Sequence, residues 1–279
     1  MGILDSITSG ASTSGVRMLI VGAEKIGKTT LATGSPASLL IPLEVGYAGI
    51  TTAKTQMIQT FEEYLQLLTE ITALAQSGKF PYRTIVNDSA TALERLIHDY
   101  VLRADPLYSP GSKKTISMES AHGGYGKAYT LANTQFTTVL ATLDALAVYA
   151  RINILFTCHT FASKVMDPVA GEYDSWDLLL HSPKNQKTYG KREILTQWAD
   201  VIGFYYEPIY LSKADGSTMT KATSQNKGRV LGLNRTPSYV AGNRFGILGE
   251  LAIPAPPANG WNNFADALFK QSGIDLYTR

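Results

Sequence analysis

The sequence predicts an α/β fold with a mainly parallel sheet, helices on both faces and an antiparallel extension toward the C-terminus. Short apolar runs alternate with segments of helical periodicity over roughly the first 160 residues, which is typical of parallel strands joined by crossover helices. A glycine-rich loop follows the first apolar run, the position in which α/β proteins hold phosphate groups. Later apolar runs are joined by short turns, which indicates antiparallel pairing. With 279 residues, 44% of them hydrophobic, the chain can bury one large core.

The first predicted strand runs from Val16 to Val21 and leads directly into a phosphate-loop motif. The motif, Gly22-Ala23-Glu24-Lys25-Ile26-Gly27-Lys28-Thr29-Thr30, fits G-x-x-x-x-G-K-[ST] without a mismatch. Glycines allow backbone N–H groups to close around phosphate oxygens, and the N-terminus of the following helix adds partial positive charge. In this arrangement Lys28 reaches the β- and γ-phosphates of ATP, and Thr29 offers its hydroxyl to Mg²⁺. The alternative is a glycine turn with a chance lysine.

Downstream of the loop, strands and helices are predicted in alternation. They are a strand at 38–44, a helix at 57–76, a strand at 82–88 and a helix at 92–102. A loop at 105–126, rich in glycine and proline, separates these from a helix at about 127–151 and a strand at 152–158. Because loops of this length are uncommon in compact domains, we expect it to be functional.

The last third of the chain is predicted to be less regular. An irregular segment covers residues 160 to about 186, and strands follow at 199–206, 208–211 and 229–233. A proline-rich linker at 254–257 leads to a final short helix near 264–271. We therefore predict three regions: a flexible leader at 1–15, a core at 16–253, and a linker with a C-terminal helix at 254–279.

Composition argues against a strongly basic, a disulfide-linked or a membrane-spanning protein. Lys and Arg total 25 against 23 Asp and Glu, a formal net charge of +2, so nucleic-acid binding would depend on local basic loops. The single cysteine, Cys158, excludes an intrachain disulfide and suits a reducing compartment. No apolar run approaches the roughly 18–20 residues of a membrane span, and no signal peptide opens the chain. We expect a cytoplasmic protein without a membrane partner, located in the bacterial host cytoplasm if a phage encodes it.

Polar residues end three of the predicted strands, at the sheet edge where α/β proteins bind ligands. Asp88 ends the strand at 82–88 and could hold Mg²⁺ through water opposite Thr29, although Asp also caps helices. Glu44 could orient or deprotonate an attacking water; the alternative is an exposed glutamate at a strand end. His159 could bind the γ-phosphate and report its loss to the following segment; the alternative is a structural histidine.

The order of these motifs resembles the RecA-like core ATPases, and more closely the phage RecA-like proteins linked to single-strand annealing and recombination. The resemblance extends from about Val16 to Gly249. It is carried by the phosphate loop and by Leu43-Glu44-Val45-Gly46, Ile85-Val86-Asn87-Asp88-Ser89, Phe156-Thr157-Cys158-His159, Trp198-Ala199-Asp200 and Gly242-Asn243-Arg244-Phe245-Gly246. It implies a RecA-like P-loop NTPase core that binds and hydrolyses ATP with Mg²⁺.

The resemblance also implies roles for single residues. Glu44 corresponds to the family's catalytic base, although Leu43 and its neighbours lack the family's aspartate, and His159 corresponds to the residue that senses the γ-phosphate. Arg244 lies in a box whose basic residues act on the nucleotide of a neighbouring subunit. Gly242 replaces the lysine of that box, so Arg244 alone would carry this charge; a structural arginine is the alternative.

Two long segments correspond to the loops with which the family holds single-stranded DNA inside a ring or filament. Lysine and arginine neutralise phosphates, and tyrosine can stack on bases. The candidates are Tyr108, Lys113, Lys114 and Tyr125 in the first segment, and Lys184, Lys187, Tyr189, Lys191 and Arg192 in the second. Acidic residues at 167–177 offset the basic charge of the second segment, and solvated surface loops are the alternative interpretation.

We predict from these features a DNA-stimulated ATPase that acts in phage-type recombination or annealing. Its expected partners are single-stranded DNA, further copies of the same chain and a single-strand-binding protein. A different class remains open, namely a nucleotide-regulated assembly or scaffold ATPase that does not bind DNA. A small-molecule phosphotransferase is a weaker hypothesis, because such enzymes need an arginine-rich lid and the arginines Arg192, Arg229, Arg235 and Arg244 are scattered.

Overall fold

The structure, a computed structural model, describes residues 14–110, 116–183, 189–213, 220–224, 228–256 and 258–277. Most of the predicted leader, residues 1–13, lies outside the described residues. The helices are α1 Lys28–Thr33, α2 Phe61–Gln76, α3 Ala90–Arg103, α4 Lys127–Tyr149, α5 Lys191–Trp198 and α6 Trp261–Ser272. The strands are β1 Arg17–Val21, β2 Ser38–Pro42, β3 Ala53–Lys54, β4 Thr84–Asp88, β5 Asn153–Cys158, β6 Thr160–Asp167, β7 Gly171–Leu178, β8 Val201–Tyr206, β9 Ile209–Lys213, β10 Thr220–Ser224, β11 Arg229–Gly232, β12 Gly242–Asn243 and β13 Glu250–Ile253.

In the described part of the chain, the main sheet has nine strands in the order β13-β11-β8-β1-β5-β4-β2-β3, with β12 paired to β8. The pairs between β8 and β3 are parallel, whereas β11, β12 and β13 pair antiparallel. This confirms the predicted mainly parallel sheet with an antiparallel C-terminal extension. β5 lies between β1, which leads into the phosphate loop, and β4, which ends at Asp88.

Both faces of the sheet are buried, because helices pack on each of them. Successive side chains of a strand point to opposite faces. In β1, Leu19 and Val21 belong to the core that includes α2, α3 and α4, whereas Met18 and Ile20 belong to the core that includes α1 and α6. Strands covered on both faces appear in the sequence as continuous apolar runs, which explains why the parallel strands could be predicted.

α2 begins at Phe61, four residues later than predicted, because a capping box defines its start. Thr60 Oγ1 accepts the Glu63 N–H at 3.2 Å, and the Glu63 carboxylate accepts the Thr60 N–H at 3.3 Å. These two bonds satisfy helix-terminal N–H groups that would otherwise lack partners. The apolar periodicity alone does not distinguish residues 57–60, which lie before the helix, from the helix itself.

The segment predicted to be irregular after residue 160 is largely a β-hairpin. β6 and β7 pair antiparallel from Thr160 and Leu178 to Asp167 and Gly171. Neither strand has a continuous buried face, so the period-2 apolar pattern that identifies a half-buried strand is missing from the sequence. The helix that follows, α5, was not predicted either.

α6 packs on the face of the sheet that also carries α1. Trp261, Phe264 and Leu268 are almost completely buried in the core that contains β1 side chains. Asn259 Nδ2 donates to the Gly34 carbonyl at 2.8 Å, at the end of α1. The predicted C-terminal helix therefore shares a core with the sheet. Within the described ranges, the structure contains no helix with the length and apolar character of a membrane span.

Candidate functional site

The phosphate loop, Glu44, Asp88 and His159 meet at one edge of the sheet. β1, β2, β4 and β5 are parallel neighbours, and these four features lie at or just beyond their carboxyl ends. Together they line a cleft of about 450 Å³. The carboxyl ends of parallel strands are where α/β proteins bind ligands, so the predicted residues are gathered at the expected position.

The geometry of the phosphate loop requires both of its motif glycines. A Cβ on Gly22 would lie 2.3 Å from the Tyr205 carbonyl oxygen, so no side chain fits. Gly27 is the N-cap of α1 and has φ of 98°, a left-handed conformation that favours glycine. Glu24, Lys25 and Thr30 line the cleft together with Gly27. The side chain of Ile26 instead packs partly buried against the core of α1 and α6.

The Lys28 side chain is held inside the loop. It is 6% exposed, and Nζ donates to the carbonyl oxygens of Gly22 and Ala23 at 3.0 and 2.8 Å. Burial lowers the pKa of the Lys28 ammonium, and the negative charges of Asp88 and Glu44 act against that shift. A buried ammonium bound only by neutral carbonyls can form stronger, charge-assisted bonds to a phosphate.

Thr29 and Asp88 lie side by side and fit a magnesium ion. Thr29 Oγ1 donates to Asp88 Oδ2 at 2.9 Å, and Thr157 Oγ1 donates to Asp88 Oδ1. A hydroxyl and a single carboxylate are hard oxygen donors, and Mg²⁺ is usually held by one or two carboxylates plus phosphates and waters. The described residues contain no cluster of three or more His, Cys, Asp or Glu side chains that could bind a metal alone. The donor set therefore fits an ion that arrives with phosphate groups.

Both oxygens of the Glu44 carboxylate are engaged. His159 Nε2 lies 2.8 Å from Oε1, and Arg95 NH2 lies 3.1 Å from Oε2. Burial raises the pKa of Glu44, but the hydrogen bonds of His159 and Ser89 and the charges of His159 and Arg95 outweigh it, so the pKa is lowered overall. Glu44 is thus an ionised carboxylate, and each of its oxygens already accepts one hydrogen bond.

His159 has one ring nitrogen bound and one unbound. A carboxylate only accepts, so His159 Nε2 carries the proton in its bond to Glu44. Nδ1 is buried, and it has no hydrogen-bond partner in the part of the chain that the structure describes. The His159 backbone N–H donates to Thr91 Oγ1 at 3.3 Å, which fixes the residue at the end of β5.

Arg244 lies at the opposite edge of the sheet from the cleft. Its NH1 binds Asp200 Oδ1 at 3.0 Å, and Arg17 binds the two oxygens of the same carboxylate at 2.7 and 2.9 Å. Asp200 precedes β8, which is parallel to β1, and a strand of this length spans roughly 17–20 Å. Arg244 therefore stabilises the fold and cannot reach the cleft of its own chain. An action on a neighbouring subunit stays a prediction.

Lys191 lies in the protein interior, which contradicts its predicted contact with DNA phosphates. Its side chain is 0% exposed, and Nζ lies 2.9 Å from His98 Nε2 and 3.5 Å from Glu94 Oε1. Burial lowers the pKa of Lys191, and the negative charge of Glu94 opposes this. Lysines lie close to Lys191 in the sequence and suggested a solvated cation. The partners of Lys191 in the structure, His98 and Glu94, lie on α3, almost one hundred residues earlier in the chain.

Arg192 is paired with side chains of its own chain, and its predicted contact with DNA stays a prediction. Its NH1 binds Asp177 at 2.6 Å, its Nε binds Glu193 at 2.9 Å, and its NH2 donates to Ser182 Oγ at 2.7 Å. These bonds connect the end of the hairpin to the start of α5. Lys113, Lys114, Lys184 and Lys187, the other predicted DNA contacts of this kind, lie outside the described residues.

The described ends of the two predicted DNA segments converge on the N-terminal half of α4. Tyr125 directly precedes α4 and is fully exposed, in a run from His122 to Gly126 in which every φ is positive. The Tyr129 ring stacks on the ring of His181 with centroids 3.8 Å apart. Asn133 Nδ2 donates to the carbonyl of Tyr189, a second exposed tyrosine, at 2.9 Å.

Two arginines that contact residues of the cleft were not identified from the sequence. Arg95 on α3 binds Glu44, and Arg229 at the start of β11 lies against Gly27 of the phosphate loop. Arg95 stands in an ordinary amphipathic helix, so no sequence pattern marks it as a partner of Glu44. Arg229 is one of the arginines that are scattered in the sequence, because only the antiparallel pairing of β11 with β8 brings it to the phosphate loop.

Comparisons with known proteins find similarity to a protein family and to solved structures. A protein-family model described as AAA domain (AAA_24) matches residues 14–245. No curated protein matches the chain. Among solved structures, the chain is similar to a crystal structure of the RadB recombinase, with a TM-score of 0.44 and 14% identity, over 90% of this chain and 92% of that chain.

Proposed function

This chain belongs to the AAA domain family and folds as a RecA-like P-loop ATPase. We propose that it couples ATP hydrolysis to the binding of single-stranded DNA, in recombination or annealing of the phage type. The observation that carries the proposal is the contact of Thr29 with Asp88 beside Lys28, in a cleft that also holds Glu44 and His159. A loop for phosphates, oxygens for Mg²⁺, a base and a polar sensor are the parts that ATP hydrolysis needs.

In this proposal the phosphate loop binds the triphosphate. Lys28 would exchange the carbonyls of Gly22 and Ala23 for the β- and γ-phosphates, and the N–H groups at the start of α1 would surround the remaining oxygens. Mg²⁺ held by Thr29 and Asp88 would neutralise negative charge on the phosphates. Burial of Lys28 supports this role, because an ion pair is stronger away from bulk water.

The Nε2 N–H of His159 is proposed to donate either to Glu44 or to the γ-phosphate. Its Nε2 proton now binds Glu44 Oε1, and a γ-phosphate oxygen in the same cleft would compete for it. Such an exchange would free Oε1 to orient or deprotonate the attacking water only while ATP is bound. After hydrolysis His159 would return to Glu44, and because β6 starts at the next residue, the hairpin would respond to this change.

The proposed DNA-binding face is the N-terminal half of α4 with the segments beside it. Tyr125 and Tyr189 are exposed there, and exposed aromatic rings provide platforms for base stacking. His181 and Tyr189 both contact α4, which supports a single surface built from the two predicted DNA segments. Self-association into a ring or filament, with Arg244 acting on the neighbouring nucleotide, and binding of a single-strand-binding protein belong to the same proposal.

Steady-state ATP hydrolysis with and without a single-stranded oligonucleotide tests the proposal. We expect the oligonucleotide to stimulate hydrolysis and to be retarded by the protein at low salt. Lys28→Ala should abolish hydrolysis, because the variant lacks the cation that binds the β- and γ-phosphates. Hydrolysis by wild type without any response to DNA, and no retardation, would contradict the DNA part of the proposal while leaving the ATPase in place.

A second candidate function is supported by the acidity of the hairpin. β6 and β7 carry Asp167, Glu172, Asp174 and Asp177 against one basic residue, Lys164. Acidic side chains repel DNA phosphates, so this element favours a nucleotide-regulated assembly or scaffold ATPase that does not bind DNA. Light scattering distinguishes the two: the scaffold function predicts oligomers that depend on ATP and that do not change when the oligonucleotide is added.

A further inference from the structure

Thr157 places a buried hydroxyl in an otherwise apolar stretch of β5. The three preceding residues, 154–156, are apolar, and the Thr157 side chain is 0% exposed. A buried hydroxyl costs free energy unless it is hydrogen-bonded, and the partner here is a carboxylate, since Thr157 Oγ1 donates to Asp88 Oδ1. Thr157 is therefore bound to the acid that faces Thr29, although it does not line the phosphate cleft itself.

The strand order explains why this threonine meets this aspartate. β5 lies between β1 and β4, and its register with β4, continued by one residue, sets Thr157 opposite Asp88. Leu155 and Val86, two residues earlier in the two strands, belong to the core that contains α1 side chains. Because side chains two residues apart share a face of the sheet, Thr157 and Asp88 point toward α1, which contains Thr29.

The Asp88 carboxylate is held at both of its oxygens. Thr157 Oγ1 donates to Oδ1, and Thr29 Oγ1 donates to Oδ2 at 2.9 Å. Asp88 is only 8% exposed, so these bonds are shielded from most of the competing water. Thr29 is also a proposed ligand of the magnesium ion, whereas Thr157 lies outside the cleft. The bond from Thr157 is thus the one that can keep the carboxylate oriented while the ion is bound.

The backbone at this end of β4 is fixed without Thr157. The Leu43 N–H donates to the Asp88 carbonyl at 2.7 Å, which ties the end of β4 to the end of β2. Asn87 Nδ2 donates to the Leu155 carbonyl at 3.3 Å, which ties β4 to β5. Removing the Thr157 hydroxyl should therefore leave the strand in place and change only the orientation of the carboxylate.

We propose that Thr157 is a positioning residue for magnesium, because its hydroxyl orients the Asp88 carboxylate toward an ion that arrives with the nucleotide phosphates. The inference rests on the proposed function, since it deepens the magnesium site of the same cleft. Groups that hydrogen-bond to metal ligands fix the orientation of those ligands, and their loss commonly weakens metal binding by about 10–100-fold. A carboxylate oxygen that accepts one bond from Thr157 still has a lone pair for a water of the ion.

Calorimetric titrations with ATP, in excess Mg²⁺ and in EDTA, test the proposal. Thr157→Val keeps the shape of the side chain and removes the hydroxyl. We expect it to weaken ATP binding in Mg²⁺ by about tenfold and to leave ATP binding in EDTA within about twofold. Thr157→Ser retains the hydroxyl and should bind ATP like wild type in both buffers. Thr84→Val is the matched control and should change neither affinity, because Thr84 is a fully buried threonine at the opposite end of β4.

Three results would overturn the proposal. Equal weakening in Mg²⁺ and in EDTA by Thr157→Val would indicate a general disturbance of the cleft, and unchanged binding in Mg²⁺ would exclude a positioning role. Binding by Thr157→Ser as weak as that of Thr157→Val would show that the hydroxyl is not the group that matters. If Thr157→Val does not fold, Thr157→Ala carries the same expectations. Wild type that binds ATP no more tightly in Mg²⁺ than in EDTA would contradict the magnesium site of the proposed function itself, which is distinct from every variant result.

Discussion

Glu44 illustrates how the surroundings of one side chain define its chemistry. A carboxylate that accepts bonds from His159 and Arg95 is stabilised in its charged form, and each of its oxygens already accepts one hydrogen bond. Its lowered pKa also makes it a weaker base than an unpaired glutamate. The proposed exchange at His159 therefore explains how such a residue could act only when a γ-phosphate is present.

Replacing the Glu44 carboxylate by an amide tests its proposed role. Glu44→Gln should retain ATP binding within about twofold and slow hydrolysis by about 10²–10⁴-fold, because a carboxamide cannot accept the proton of the attacking water. ATP affinity and single-turnover hydrolysis provide the measurements. Glu70→Gln, on the exposed face of α2, is the control and should hydrolyse ATP like wild type. Normal turnover by Glu44→Gln would exclude Glu44 from the mechanism.

Removing Arg95 should have the opposite effect on turnover. Arg95 is 64% exposed and holds Glu44 Oε2, so Arg95→Ala would free one oxygen of the carboxylate. Because exposed ion pairs contribute about 0–1 kcal/mol, we expect DNA-independent ATP hydrolysis to rise by up to about fivefold. Arg103→Ala, which breaks the similar pair with Glu62 at the other end of α3, should leave the rate unchanged. Slower hydrolysis by Arg95→Ala would contradict the release of Glu44 and indicate a contact of Arg95 with the nucleotide.

At the scale of elements, a buried polar cluster fastens the end of the hairpin and the start of α5 to α3. Glu94 Oε1 accepts the His181 backbone N–H at 2.8 Å and also faces Lys191, whose Nζ donates to His98 Nε2. A Cβ on Gly190 would lie 2.3 Å from the His181 carbonyl oxygen, so the two chain segments meet tightly. Since α3 follows Asp88 directly, this cluster connects the nucleotide cleft to the proposed DNA face.

The cluster should make stability depend on pH. Burial and the charge of Lys191 lower the pKa of His98 to about 3, against about 6.5 when unfolded. Between these values only the unfolded chain takes up the proton, so the free energy of unfolding falls as the pH decreases below about 6.5. His98→Gln can still accept the Lys191 bond but does not titrate. From pH 7.5 to 5.5 we expect wild type to lose roughly 1 kcal/mol more than the variant in urea unfolding experiments.

The other titratable groups of the cluster are present both in wild type and in His98→Gln, and they contribute equally to the pH dependence of stability in the two proteins. His181, whose pKa burial also lowers, and Glu94, whose pKa burial raises, are retained in His98→Gln. The difference between the two pH profiles therefore isolates His98. Identical losses would mean that His98 is protonated in the folded protein or that Lys191 is bound differently.

The elements that position the cleft could be predicted from the sequence because their signals are local. An apolar run that ends in Asp88 or Glu44 identifies both a buried strand and a polar residue at its tip. The hairpin and the burial of Lys191 could not be predicted, because they depend on pairings between distant segments. Arg229 was missed for the same reason: its distance from Gly27 is set by the order of strands in the sheet, which a single sequence does not determine.

At the scale of the whole molecule, the sheet separates two cores and supports the cleft at its carboxyl edge. α1, which begins with Lys28 and Thr29, belongs to the smaller core together with α6. A Cβ on Gly34 would lie 3.2 Å from the Trp261 Cβ, so the end of α1 is packed directly against the start of α6. The C-terminal helix thus helps to hold the phosphate loop in place, although it lies more than 200 residues away in the sequence.

Truncating the buried face of α6 should therefore destabilise the entire domain. Trp261 is 1% exposed and packs edge-on against Phe264, whereas Phe269 on the same helix is 55% exposed. Trp261→Ala should lower the free energy of unfolding by about 3–5 kcal/mol, because it removes a large buried side chain and leaves a cavity. Phe269→Ala, the matched control, should cost less than about 1 kcal/mol, as is usual for surface substitutions. Urea unfolding followed by circular dichroism measures both. Equal losses in the two variants, or two separate transitions in wild type, would show that α6 does not share a cooperative core with the phosphate loop.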